Sequence, residues 1–263
     1  MNWSDFLTVS LASLGAVALL MIVTAVIGAR IGRHNVVDVT WGGGFVLIAL
    51  ISAVTGTGEG WRRILLLVLV AVWGLRLALH VFQRSRGHGE DPRYDELLSK
   101  APGNRTLYAL RKIYLTQALA LWFVSLPLQV SAVAHGSVLP VVVVGVLLWL
   151  LGWTFETVGD AQLKAFKADA SNKGKIMDRG LWSWTRHPNY FGDSAVWWGL
   201  FLVSASAWPG VFTLLSPIAM TYFLVFATGA RLLERSMEKR PGYREYQQRT
   251  SYFFPLPPKR SSM

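Results

Sequence analysis

The sequence predicts an all-α fold: a polytopic integral membrane bundle of seven transmembrane helices, with cytoplasmic helices at the carboxyl-terminal end. Of the 263 residues, 52% are hydrophobic and 16% are charged, a balance typical of membrane proteins and unlike that of soluble globules. Seven apolar runs approach the roughly 20 residues that a membrane span needs. Several of the segments between them are basic, as cytoplasmic loops usually are. We therefore expect a single membrane domain over residues 1–263.

The predicted spans follow one another with short connections. The first has no basic leader and no small-residue cleavage site, so it predicts a span and not a signal peptide. The second is short and begins with Asp38. In order, the apolar runs lie at about 6–29, 37–54, 61–83, 107–131, 137–163, 189–206 and 211–232.

The distribution of lysine and arginine predicts the orientation of the bundle. These residues concentrate in 30–36, 84–112, 164–188 and the segment after 230, whereas the loops near 132–136 and 207–210 have none. Because basic loops stay on the cytoplasmic side, the amino terminus is expected outside and the carboxyl terminus in the cytoplasm. Arg62 and Arg63 fall on the outer side in this scheme, where we expect their long side chains to reach the interface.

Charge and cysteine content exclude several functions. The net charge is +11, but it is spread over loops and not over one face, which disfavours nucleic-acid binding. The same loops suit anionic lipid headgroups and phosphate-bearing cofactors. The chain has no cysteine, so disulfides, thiolate nucleophiles and cysteine-ligated zinc are excluded. We expect neither a nucleic-acid partner nor a metal.

Two features of the amino-terminal half admit both a structural and a functional interpretation. The run Gly42–Gly44 in the second span permits close helix packing, while Asp38 at its edge would need a partner or a water-filled cavity. In the third span, Arg76 and His80 share a helix face and would both need polar company. The following turn, RGHGEDPRY, fits either a solvated loop or a segment that covers a cofactor.

The stretch from Phe155 to Trp198 holds an unusual number of polar residues between two apolar runs. Glu156 and Asp160 are four apart and lie on one helix face, so donors from elsewhere, including those of a nucleotide cofactor, would satisfy them. Asp160 fits an ion pair with Lys164 equally well. In the loop that follows, Gly174 and Gly180 mark turns.

Basic residues near the sixth span suggest an anion site. Pro188 suits the first turn of a helix, and the free N–H groups of such a turn favour an anion. Arg186 and His187 come directly before it, so they and the helix end suit a diphosphate or carboxylate. Asn189 and Asp193 are four apart and line one face. Three further cations could bind phosphates or simply form a cytoplasmic loop: Lys173, Lys175 and Arg179.

At these residues the chain resembles the steroid 5-alpha-reductase superfamily, and within it a bacterial and eukaryotic branch labelled as a domain of unknown function. The likeness spans roughly residues 35–258. It is densest in four blocks: VDVTWGGGF, RGHGEDPRY, the run from Glu156 through GLWSWTRHPNYFGD to Trp198, and the charged tail LLERSMEKRPGYREYQQRTSYFFP.

The resemblance implies a seven-helix enzyme that holds NADPH in its carboxyl-terminal half, about 137–258, and takes an apolar, lipid-like substrate from the bilayer. By position, Glu156 and Asp160 look like the family's acidic pair that meets the cofactor. Further cofactor contacts implied in the same way are Arg179, Asn189, Tyr190, Asp193, Arg235, Arg244 and Tyr246. Asp193 stands where the family usually has glutamate.

The catalytic residues of steroid reductases do not transfer. The family uses a glutamate on the second helix and a tyrosine on the third, and the position of that tyrosine is Val81 here. His80, Tyr94 and Asp38, in that order, are the candidates for proton donation.

The expected activity is an NADPH-dependent reduction of an activated carbon–carbon double bond in a lipid, steroid-like or isoprenoid substrate. The RHPNYFG block and the acidic, aromatic tail also resemble integral-membrane methyltransferases that use S-adenosylmethionine and act on isoprenylcysteine or phospholipid amines. A lipid-binding or assembly protein on the same scaffold is the non-enzymatic alternative.

Overall fold

Helices dominate the computed structural model, which describes residues 2–227 and 229–258; over those ranges it holds no strand and only an isolated bridge between Thr185 and Ser251. The all-α prediction is confirmed. The helices are α1 (Trp3–Ile31), α2 (Val36–Thr55), α3 (Gly60–Ser85), α4 (Pro92–Ser99), α5 (Arg105–Ala109), α6 (Leu115–Val124), α7 (Leu126–Ser131), α8 (Leu139–Ala168), α9 (Pro188–Ala205), α10 (Leu215–Tyr222), α11 (Ala230–Met237) and α12 (Tyr243–Arg249).

Five helical segments of the described chain are long and apolar enough to cross a membrane: α1, α2, α3, α8 and Trp208–Met237. They coincide with five of the seven predicted runs, so the chain is a membrane protein. The last segment is less regular than its apolar run predicts, because a 3₁₀ turn (Trp208–Thr213), α10, a π turn (Phe223–Ala227) and α11 follow one another in it. Gly229 allows this irregular backbone, since a Cβ there would lie 2.0 Å from the carbonyl oxygen of Leu224.

The chain divides into two compact units. The first comprises Met1–Leu139 and Ser204–Ser216, and the second comprises Pro140–Val203 and Pro217–Met263. The cofactor-related residues of the sequence prediction fall in the second unit, and the three candidate catalytic residues fall in the first.

Glycines set the spacing of α2 and α3 in the first unit. A Cβ on Gly42 would lie 2.3 Å from the carbonyl oxygen of Gly74, and one on Gly74 would lie 2.7 Å from that of Gly42. A Cβ on Gly44 would lie 2.8 Å from the side chain of Leu121, whereas one on Gly43 would meet nothing within 4 Å. The close-packing interpretation is confirmed for Gly42, because backbones approach closely only where side chains are absent.

The second unit has a similar glycine seam between α8 and α9. Its α8 members recur every seven residues, at Gly145, Gly152 and Gly159, and each faces α9. A Cβ on Gly152 would lie 2.5 Å from the carbonyl oxygen of Gly192. One on Gly192 would lie 2.4 Å from the backbone nitrogen of Glu156. The seam therefore sets Glu156 and its neighbours directly against the start of α9.

The expectation that Arg62 extends to the interface is wrong. Its side chain is fully buried and donates to the carbonyl oxygens of Ala134 (2.6 Å) and Gly136 (2.6 Å) and to the hydroxyl of Ser131 (2.9 Å). Arg63 donates to the carbonyl oxygens of Ala53 (2.6 Å) and Gly56 (2.5 Å) at the end of α2. Arg62 thus donates to the loop after α7 and Arg63 to the end of α2.

The neighbouring glycines of α2 offer a matched test of this packing. Gly42→Ala should destabilise the protein by about 1–3 kcal/mol, because the added methyl meets backbone that cannot yield. Gly43→Ala should be neutral or slightly stabilising, since alanine favours a helix. Thermal unfolding of both variants in the same detergent measures the difference; equal melting temperatures would show that α2 and α3 are not packed through Gly42.

Candidate cofactor-binding site

The loop between α8 and α9 is shaped by local sequence signals. Asp169 follows the end of α8 and accepts a hydrogen bond from the Ser171 N–H (2.8 Å), which starts a short 3₁₀ turn. Gly174 and Gly180 have φ of 82° and 57°, a region that glycine occupies without strain. Both predicted turn points are therefore confirmed, and the loop folds back toward the carboxyl-terminal helices.

The carboxylate of Glu234 on α11 joins this loop to the tail. Arg186 donates from Nε to Oε1 (2.9 Å) and from Nη2 to Oε2 (3.1 Å). The Tyr243 hydroxyl donates to Oε1 (2.6 Å), and the Gln247 amide donates to Oε2 (2.6 Å). The side chains of Arg186 and Glu234 are only 10% and 8% exposed, so this ion pair is buried and each ion depends on the other.

His187 completes the cluster around Glu234. Its Nε2 lies 3.0 Å from Oε1 of Glu234, and because a carboxylate only accepts, Nε2 donates. The other ring nitrogen, Nδ1, is buried and has no hydrogen-bond partner within residues 2–227 and 229–258. Burial lowers the pKa of His187 from its ordinary value of 6.5, although the hydrogen bond to Glu234 opposes this shift. His187 is thus held neutral in the fold.

The tail closes over the loop through further hydrogen bonds. Nη1 of Arg186 donates to the carbonyl oxygens of Gln247 (3.0 Å) and Thr250 (2.8 Å) at the end of α12. The Tyr246 hydroxyl donates to the carbonyl oxygen of Trp182 (2.5 Å), whose indole donates to that of Gly159 on α8 (2.9 Å). Burial raises the pKa of Tyr246, so its hydroxyl stays a donor.

A cavity of about 540 Å³ lies within the second unit, between this loop and the helices α11 and α12. Cations and aromatic rings share its wall with aliphatic side chains. The charged lining residues are Lys167, Asp169, Lys173, Lys175, Arg186 and Arg240. The aromatic ones are Phe166, Trp182, Tyr243 and Tyr246.

Three of the predicted cofactor residues line this cavity: Lys173, Arg186 and Tyr246. His187 lies behind it in contact with Glu234, and its ring stacks on Tyr190 with centroids 5.7 Å apart. Three other predicted residues are exposed and do not line the cavity: Arg179, Arg235 and Arg244.

The remaining predicted residues meet at the α8–α9 seam. Glu156, Asp160 and Asp193 are buried there, and the Asn189 amide donates to Asp160 (3.2 Å). Glu156 and Asp160 both lie on the buried face of α8, so the prediction that they share a helix face is confirmed. Residues 155–193 therefore supply two sets of polar side chains, one at the cavity and one at the seam between α8 and α9.

Glu234 is the central residue that sequence reasoning did not select. The sequence shows Glu234 only as one acid of a charged helix, because its partners His187 and Arg186 lie 47 and 48 residues away in the chain. The available signal was the strong amphipathicity of α11, which left one acid on the apolar face.

In the first unit, two of the three candidate catalytic residues meet. The Tyr94 hydroxyl donates to Asp38 (2.6 Å), and Arg93 lies 3.2 Å from the other oxygen of that carboxylate. Burial and the Asp38 carboxylate raise the pKa of Tyr94 above its usual range. His80 lies on α3 and is half-buried. The RGHGEDPRY turn packs on the start of α2, where Glu90 accepts from the N–H groups of His34 and Asn35.

Removing the charge of Glu234 should release the tail. Glu234→Gln leaves Arg186 buried without its counter-ion, a change that costs about 3–5 kcal/mol when a buried pair is broken. Limited proteolysis should then cut within 238–250 far faster than in the wild type. Glu245→Gln is the control, because that side chain is exposed on α12; equal cleavage of both variants would contradict the role of Glu234.

The buried, neutral His187 predicts a pH dependence. The unfolded chain takes up a proton near pH 6.5 and the folded chain takes it up only at lower pH, so this residue costs no stability above about pH 6.5 and destabilises as pH falls below it. The melting temperature should therefore drop between about pH 7 and pH 5. His187→Gln, which keeps a donor for Glu234, should flatten that part of the profile; an unchanged profile would show that His187 does not cause it.

Comparison with known proteins places the chain in a family but gives it no activity. It is similar to an uncharacterized protein of Schizosaccharomyces pombe, with 34% identity over 92 residues that make up 34% of this chain. The chain spans 27% of that protein's length. No solved structure matches it. The family described as "Protein of unknown function (DUF1295)" matches residues 24–250, most of the chain, and this protein therefore belongs to that family.

Proposed function

We propose that this protein is an NADPH-dependent membrane reductase of an activated carbon–carbon double bond in a lipid, steroid-like or isoprenoid substrate. The observation that carries the proposal is the cavity between the α8–α9 loop and the tail. Its combination of cations and aromatic rings suits a nucleotide that bears phosphates. The resemblance of the four sequence blocks to the steroid 5-alpha-reductase superfamily supports the same activity.

The charges at the cavity wall favour NADPH over S-adenosylmethionine. Besides Arg186, which pairs with Glu234, the cavity wall has four cationic side chains and one carboxylate, that of Asp169. Phosphate groups bind such cations through charge-assisted hydrogen bonds. S-adenosylmethionine has no phosphate and carries a sulfonium cation, which this wall would repel. The four are Lys167, Lys173, Lys175 and Arg240.

The protein's own residues would divide the work as follows. The cavity lysines and Arg240 would hold the phosphate groups, and Phe166, the lining ring that is only half-buried, would offer a surface for a base. NADPH, when bound, supplies a hydride for the β carbon of the double bond. The α carbon needs a proton, and the candidates that the sequence offers for it stay His80, Tyr94 and Asp38.

We also propose the seven-span architecture and its orientation. Residues 105–131 form a nearly continuous helical path of about 40 Å at 1.5 Å per residue, and the 18 residues of α9 cover about 27 Å. The hydrocarbon layer is about 30 Å thick, so these two segments join the five long ones. The amino terminus then lies outside and the carboxyl terminus in the cytoplasm. This orientation places two arginines outside, Arg62 and Arg63, and the backbone carbonyls to which they donate explain their presence there.

Two adjacent residues give a matched test of the cavity. Arg240 lines it and Lys239 does not. Arg240→Ala should weaken NADPH binding about tenfold or more, since a hydrogen bond to a charged group contributes about 1.5–3 kcal/mol. Lys239→Ala should leave the affinity unchanged. Isothermal titration calorimetry on purified protein measures both.

Other outcomes would point to other functions. Absence of NADPH binding, or an equal effect of both substitutions, would contradict the proposed site. Tight binding of S-adenosylhomocysteine without NADPH binding would select the methyltransferase. If neither nucleotide raised the melting temperature, a lipid-binding or assembly role would stand.

A further inference from the structure

The carboxyl-terminal segment Ser251–Pro258 forms an exposed apolar patch with the loop before α9. Phe254, Leu256 and Trp184 are 67%, 57% and 46% exposed. The Leu256 N–H donates to the carbonyl oxygen of Trp184 (3.0 Å), which brings the segment beside that loop. Exposed apolar side chains are ordinary when scattered, but a contiguous group at one place marks a contact surface.

Backbone hydrogen bonds hold this segment in a defined position. The Arg186 N–H donates to the carbonyl oxygen of Ser251 (2.9 Å), and the Thr185 hydroxyl donates to that of Phe253 (2.8 Å). Phe253 itself is buried, while its neighbour Phe254 points outward. The apolar patch is therefore a fixed feature of the fold.

A chain of aromatic contacts connects the patch to a membrane-spanning helix. Phe254 lies 6.2 Å from Phe191 in the first turn of α9, measured between ring centroids, and Phe191 lies 5.2 Å from Phe155 of α8. Phe155 precedes Lys164 by nine residues, about 14 Å along the helix. Phe155 therefore lies well inside the apolar part of α8, and these ring contacts connect it to the tail.

The backbone of the segment suits a poorly hydrated environment. Positions 255, 257 and 258 are prolines, which have no N–H to satisfy. The N–H of Leu256, which lies between them, is already donated to Trp184. From 255 to 258 no backbone donor is left without a partner, which lowers the cost of placing this segment against a bilayer.

We propose that Ser251–Pro258 lies in the membrane interface, with Trp184, Phe254 and Leu256 inserted at the boundary of headgroups and acyl chains. Tryptophan favours this layer because its ring is amphipathic. The exposed face of α8, which includes Val158, continues toward the patch through Phe155 and Phe191; because α8 is long and apolar enough to span a membrane, the bilayer is favoured over a soluble partner. Because the segment also holds the backbone of Arg186, the membrane would help to position a residue of the cavity wall.

The absence of cysteine allows a direct test by spin labelling. Phe254→Cys and Leu256→Cys would each carry a nitroxide, with the exposed Gln248→Cys on α12 as the matched control. The measured quantity is the ratio of relaxation by oxygen to relaxation by a water-soluble nickel chelate. In nanodiscs of phosphatidylcholine and phosphatidylglycerol, this ratio should be several-fold higher at 254 and 256 than at 248. Oxygen partitions into lipid and the chelate stays in water.

Two results would overturn the proposal. Equal oxygen and nickel accessibility at 254, 256 and 248 would place the segment in water. Dipolar broadening between labels at 256, lost on dilution with unlabelled protein, would show that a second copy of the chain covers the patch. The test needs no NADPH, so it stands or falls separately from the proposed reductase activity.

Discussion

The buried carboxylate of Glu234 is the interaction on which the carboxyl-terminal half depends. It accepts from Arg186, His187, Tyr243 and Gln247, and so ties the loop before α9 to both tail helices. Two of these partners, Arg186 and Tyr243, also line the cavity. Burying an arginine is costly unless its charge and donors are satisfied. The cavity wall therefore depends on the docked tail, and the proposed cofactor binding would depend on the docked tail as well.

The glycine seams have the corresponding role inside the membrane. Lipid is as apolar as leucine, so helices associate there through close packing and buried hydrogen bonds. Gly152 and Gly192 bring α8 and α9 together, and this approach places Asp160 beside Asn189 and Glu156 against Gly192. In the first unit, Gly42 and Gly74 do the same for α2 and α3. A polar group within a span is tolerated where such packing supplies its partners.

Local signals in the sequence predicted much of this fold, and distant contacts were beyond them. Apolar length found the long helices, and spacing by four found the shared face of Glu156 and Asp160. Hydropathy overestimated the regularity of 211–232, because it does not register the backbone break at Gly229. The roles of Glu234 and Arg62 depend on partners about 50 to 75 residues away, which periodicity does not reveal. Likewise, nothing local joins Tyr94 to Asp38, 56 residues apart.

Reduction of a membrane lipid by NADPH is most directly tested by following the transferred hydrogen. Nanodiscs or proteoliposomes containing the protein and total lipid extract would be incubated with NADPH tritiated at the reactive C4 position of the nicotinamide, and the lipids would then be extracted. Tritium should enter the lipid fraction with the wild type and with Lys239→Ala, and should fall sharply with Arg240→Ala. No tritium in lipid, together with label transferred from methyl-tritiated S-adenosylmethionine, would contradict the reductase and identify a methyltransferase.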